Sequence, residues 1–161
     1  VIADPNNYEA RANIMWAGMM AHNDSCGVGR SQDWASHRIE HELSAVYDCA
    51  HGAGLAVVFP AWMTYTMNHD VARFAQLAVR VWNCEMDYFN PENTAKAGIE
   101  CLKKFWSSLG LPITMGELGA KEEDIEAMAK CACYGDGRDG KFGGFVTLEQ
   151  KDVEAIFRLA L

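Results

Sequence analysis

Helix start and stop signals recur along this chain, and no stretch alternates apolar with polar residues as a half-buried strand does. That feature restricts the fold more than any other. Asp4-Pro5 reads as a cap followed by a first-turn proline, ahead of a helix from Tyr8 to His22. On that helix Ile14, Met15, Gly18 and Met19 fall on one face, and Met15, Met19 and Met20 read as core. Asn23 to Asp33, glycine-containing and polar, reads as a loop. Helical stretches follow over Trp34 to Tyr47 and from about Leu55 to Met67, the second bent or restarted at Pro60. Asp70 can cap the next helix, with Val71, Phe74, Ala75, Ala78 and Val81 at helical spacing. Asn90-Pro91-Glu92 opens another, with Ala95, Ile99, Leu102 and Trp106 among its apolar positions, and Gly110 closes it. Thr114-x-x-Glu117 fits a capping box, and Glu122 to Cys131 reads as a short amphipathic helix built on Ile125, Met128 and Ala129. Tyr134 to Gly144 is glycine-rich and reads as a loop. Thr147-x-x-Gln150 then opens the last helix, with Val153, Ile156, Phe157 and Leu159 on its apolar side. The predicted fold is all-α, a bundle of about seven helices forming a single domain over residues 1–161.

Composition narrows the function classes. The 161 residues carry 14 Lys and Arg against 22 Asp and Glu, a formal charge of −8. A chain of this length forms about one domain with a full core. Its acidity argues against a nucleic-acid partner and against a membrane-surface partner, because both surfaces are themselves negative. The longest apolar run, Gly52 to Met63, is broken by Pro60 and falls short of the roughly 18 residues a membrane helix needs. The first residues do not read as a charged-then-apolar signal segment. It begins with Val1 rather than Met, so the expectation is a processed or trimmed chain, or a piece of something longer. The six cysteines, Cys26, Cys49, Cys84, Cys101, Cys131 and Cys133, show no framework spacing. They are expected as free thiols in a reducing, cytoplasmic compartment, with Cys101 as small core filler.

Three histidines carry the candidate chemistry. His37 and His41 are four apart and share a helix face. His51 lies fourteen residues beyond His37, about 21 Å along an unbroken helix. For His37 and His51 to share a metal ion, the helix must end between them and the chain must turn back. Gly52 and Gly54 permit sharp turns and close backbone approach there. Spacing alone leaves other readings open. The histidines could be satisfied surface residues of a helical interaction module without chemistry. His37-Arg-Ile-Glu-His41 also matches the H-x-x-E-H pattern of zinc peptidases, in which Glu40 would activate water. Weaker signals fail. Cys131-x-Cys133 has no second pair for zinc. Asp136 to Lys141 resembles a calcium loop, but Arg138 and Gly140 stand where oxygen ligands belong. No G-x-G-x-x-G follows a strand. His22 and His69 read as helix-end or solvent-facing residues.

The stretch from His37 through His41, His51 and Gly52 to Pro60, with its H-x3-H-x9-H string, resembles the iron-dependent alcohol dehydrogenases, most closely their butanol dehydrogenase branch. Tyr8 to Ala17, Gly110 to Gly119 and Glu123 to Met128 extend the resemblance over nearly the whole chain. It implies the helical C-terminal domain of the dehydroquinate synthase-like fold, as part of a longer chain with a nucleotide-binding domain ahead of it. It implies a divalent metal, Fe2+ with Zn2+ as the alternative, bound by His37 and His51 together with an Asp and a His from an earlier helix. It implies that His41 is the catalytic histidine that helps move the hydroxyl proton. NAD(P)H would bind through the preceding domain, primary alcohols and aldehydes would be the substrates, and the full-length enzyme would be a homo-oligomer. The first Asp and His ligands have no counterpart here, since neither Asp24 nor Asp33 stands in a D-x-x-x-H context. Residues 1–161 alone are therefore expected to be inactive.

Overall fold

The computed structural model describes residues 1–161 and contains seven α-helices. They are α1 (Tyr8–His22), α2 (Ala35–Tyr47), α3 (His51–Thr66), α4 (Val71–Trp82), α5 (Pro91–Ser108), α6 (Ile125–Tyr134) and α7 (Gln150–Leu159). Short 3-10 turns join several of them, and the only strand-like pairing is an isolated bridge between Phe142 and Leu148. The fold is all-α, and no helix is long and apolar enough to cross a membrane. The chain divides into two compact units, Val1–Gln32 and Asp33–Leu161.

The first unit is α1 and a 3-10 turn. Asn7, not Asp4-Pro5, caps α1, its side chain accepting from Ala10 N, while Asp4 accepts from Asn6 N in the turn before it. The methionines expected as core are not core. No side chain of α1 is buried; Met15 is 76% exposed, Met19 is 41% exposed, and Met20 is half-buried. A single helix with one turn has no second layer against which to close an apolar face.

The second unit has the layers the first lacks. α3 lies at its centre and packs against α2, α5 and α7; α2 also packs on α6, α6 on α7, and α4 on α5. Ile39 and Leu43 from α2, Val57, Val58 and Met63 from α3, Met128 from α6, and Ile156 and Phe157 from α7 are almost wholly inaccessible. α3 is longer than its sequence suggested. It starts at His51 and runs through Pro60 without a break. A proline removes one helical N–H, but Pro60 is buried at the packed centre, and surrounding contacts hold the helix in register across it. Thr64 and Thr66 hydroxyls donate back to the carbonyls of Pro60 and Trp62, both at 2.8 Å.

Capping differs from the expectation at two further helices. α6 begins at Ile125 after a 3-10 turn over Glu122–Asp124. Glu149, not Thr147, caps α7 in a reciprocal box with Asp152. Asp70 caps α4 as expected, accepting from Arg73 N at 3.1 Å. Among the apolar positions, Val81 and Leu159 are more than half exposed, so the buried stripes of α4 and α7 are narrower than their sequence patterns.

Candidate metal centre

The histidines stand on the hairpin of α2 and α3. Asp33 starts it, with one carboxylate oxygen accepting from Ala35 N (2.7 Å) and the other from Phe145 N (2.8 Å). α2 is held from behind by Arg38, whose Nε donates to the carbonyl of Ala132 at 2.9 Å and whose guanidinium covers the Phe142 ring. Burial, and then the neighbouring Arg138, lower the Arg38 pKa. At the far end the Tyr47 hydroxyl donates to Asp124 and accepts from Lys121 N. Burial and the bond to Asp124 push that phenol up.

The reversal falls at Asp48, which takes the left-handed conformation (φ 50°) and donates its N–H to Ser44 O at 2.9 Å. Aspartate tolerates that conformation better than most residues. Gly52 and Gly54, expected to make the turn, lie instead inside the first turns of α3. Only the expectation of close approach applies, and it applies at Gly54.

The turn returns His51 to the end of α2 that carries His37. His37 Nδ1 and His51 Nε2 face each other at 3.0 Å. The ring of His41 also lies beside His51, with centroids 5.2 Å apart against 5.1 Å for His37 and His51. Trp34 leans on His37 at 4.7 Å. His41 and His51 are exposed and His37 is half-buried.

Directly beneath is a carboxylate with no exposure at all. Glu40 sits between the histidines in sequence but turns into the core of the hairpin. One oxygen faces His51 Nδ1, and the other accepts from the Ser44 hydroxyl. A Cβ built on Gly54 would come within 2.8 Å of Glu40 Cγ and 2.9 Å of its Cδ. Gly54 is therefore the space that the carboxylate fills. Sequence reasoning weighed Glu40 only as a water-activating base and missed its contact with His51. A signal was present: Glu40 lies four residues after Ser36 and three before Leu43, on the buried stripe of α2.

The pair fits a metal ion. Two nitrogens 3.0 Å apart can both lie about 2.1 Å from one ion. Imidazole suits iron and zinc alike. One donor atom each from Glu40, His41 and His51 also lie within 4.8 Å of one another. An ion held there by His51 Nδ1 would displace the Glu40 contact, whereas an ion between His37 and His51 Nε2 leaves it intact. The peptidase arrangement fails on the same geometry. A base that activates water must reach water, and Glu40 is sealed with both oxygens engaged.

An all-helical domain whose paired imidazoles meet across a helical hairpin belongs to the class that presents a histidine site from a bundle rather than from a sheet edge. The chain belongs to the Fe-containing alcohol dehydrogenase family: the model for the family's C-terminal part matches residues 1–161. The Probable NADH-dependent butanol dehydrogenase 1 of Bacillus subtilis (strain 168) is 40% identical over the whole chain. NADPH-dependent aldehyde reductase YqhD of Escherichia coli (strain K12) is 35% identical over 129 residues, covering 80% of this chain and 33% of that protein. The crystal structure of NADH-dependent butanol dehydrogenase A from Thermotoga maritima superposes with a TM-score of 0.92 at 39% identity, covering 99% of this chain and 41% of that one. The chain likewise spans 41% of the Bacillus relative's length.

Proposed function

We propose that this chain is the helical, metal-holding part of a nicotinamide-dependent alcohol dehydrogenase that interconverts primary alcohols and aldehydes by hydride transfer. The observation that carries this reading is the 3.0 Å approach of His37 and His51 in a chain of this family. His37 and His51 are the metal ligands contributed here, with Fe2+ as the ion and Zn2+ as the alternative. The bound ion supplies a Lewis acid for the alcohol or carbonyl oxygen. His41, exposed and beside His51, holds and moves the hydroxyl proton, as an imidazole can by accepting at one ring nitrogen and donating at the other. NAD(P)H and the remaining ligands come from sequence outside residues 1–161. The complete enzyme is read as a cytoplasmic homo-oligomer acting on a small-molecule substrate.

Metal analysis and turnover of the natural polypeptide that contains this chain test the assignment. His37→Ala and His51→Ala should each lose the ion. His41→Ala should keep it and turn over at least tenfold more slowly. Loss of metal in the His41 variant, or its retention in both of the others, would sink the assigned roles. Residues 1–161 alone should reduce no aldehyde with NADH or NADPH, and measurable reduction would overturn the division of labour.

A further inference from the structure

We infer that Glu40 is the positioning residue of this centre: it holds His51 by Nδ1 so that Nε2 is the nitrogen presented to the metal. This rests on the reading of His37 and His51 as ligands. A carboxylate without exposure is costly to bury unless its oxygens are engaged. Here one oxygen takes the Ser44 hydroxyl and the other faces His51 Nδ1. An acceptor on Nδ1 places the imidazole proton there and leaves a lone pair on Nε2, the atom that faces His37. The opposite tautomer would put a proton where the metal must bind. Orientation is fixed as firmly as protonation, because Glu40 is walled on one side by Gly54 and braced on another by Ser44. Ligating histidines that donate their second nitrogen to a carboxylate are held more tightly for the ion, and losing the carboxylate costs roughly 10- to 100-fold in affinity.

The test uses the natural polypeptide, stripped of metal and titrated with Zn2+ against a chromophoric chelator. Nitrogen-15 NMR of the metal-free protein reports which ring nitrogen of His51 carries the proton. Glu40→Gln keeps the shape but lets an amide N–H face the ring; it should lower Zn2+ affinity at least tenfold and move part of the His51 proton to Nε2. Ser44→Ala, which keeps the carboxylate and removes its brace, should give a smaller loss in the same direction and remains readable if the glutamine variant folds poorly. Leu43→Ala is the control for general weakening of α2 and should leave the tautomer and the affinity nearly unchanged. Wild-type affinity and tautomer in both site variants, or an equal affinity loss in Leu43→Ala, would overturn the role of Glu40 while leaving the ligand assignment standing. If wild type and His51→Ala bind Zn2+ equally, the ligand assignment itself fails and this inference goes with it.

Discussion

The hairpins α2–α3 and α4–α5 share one construction and use it differently. In each, the first helix ends on a non-glycine residue in the left-handed conformation, Asp48 in one and Asn83 in the other. In each, a glycine of the second helix faces the first helix at very short range. A Cβ on Gly54 would strike the Glu40 side chain; a Cβ on Gly98 would lie 2.5 Å from Ala78 Cβ and 2.9 Å from its Cα. The approach at Gly98 joins backbone to backbone and serves packing alone. The approach at Gly54 leaves a slot, and a carboxylate fills it. A helix glycine thus marks close approach in both hairpins, and what lies opposite decides whether the result is a packing contact or a site.

Substitutions that fill the two slots separate these roles. Gly98→Val should be the most damaging, since backbone cannot move aside as a side chain can. Overpacking of this kind costs about 3 kcal/mol, a fall of roughly 6–12 °C in Tm for a domain of this size. Metal content of the folded fraction should be unchanged, and its loss would show that the two hairpins are not independent. Gly54→Ala should cost less stability, about 1–2 kcal/mol, because Glu40 can shift. It should nevertheless release the ion. Adding Glu40→Ala to it should recover part of the Tm and none of the metal; recovery of the metal would break the distinction.

A smaller effect is expected outside both slots. Tyr65 of α3 donates to Asp152 of the α7 cap at 2.7 Å, and that bond, with burial, pushes its pKa up to about 12. Tyr65→Phe should cost about 1 kcal/mol in urea denaturation without touching metal retention. The pH dependence has a definite sign. The folded state holds the Tyr65 proton more tightly than the unfolded chain, so its contribution is complete below the ordinary value of 10 and disappears as pH rises towards about 12. The wild-type and Phe variant stabilities should converge over that range, and parallel curves would discount the bond.

Much of the bundle was legible because helix periodicity and caps are local. Asp70, the apolar stripe of α6 and the breakers at Gly110 act within a few residues of themselves. The misreadings share a cause. Pro60 looked like a break because its local cost is real, yet packing around α3 outweighs it. Met15 and Met19 looked like core because periodicity reports an apolar face without reporting what covers it. The histidines could be paired in several ways on spacing alone. The turn at Asp48 brings His51 Nε2 to His37 Nδ1, and the buried Glu40 engages His51 from its other nitrogen.

By itself the sequence determined the helical class, the approximate helix count and the three imidazoles, since these depend on short-range periodicity and residue chemistry. Only the tertiary structure decided that His51 returns to His37, that Gly54 is a slot rather than a turn, and that the buried Glu40 carboxylate meets His51 Nδ1. Those facts depend on which residues meet across a hairpin, and that is set by the packing of whole helices.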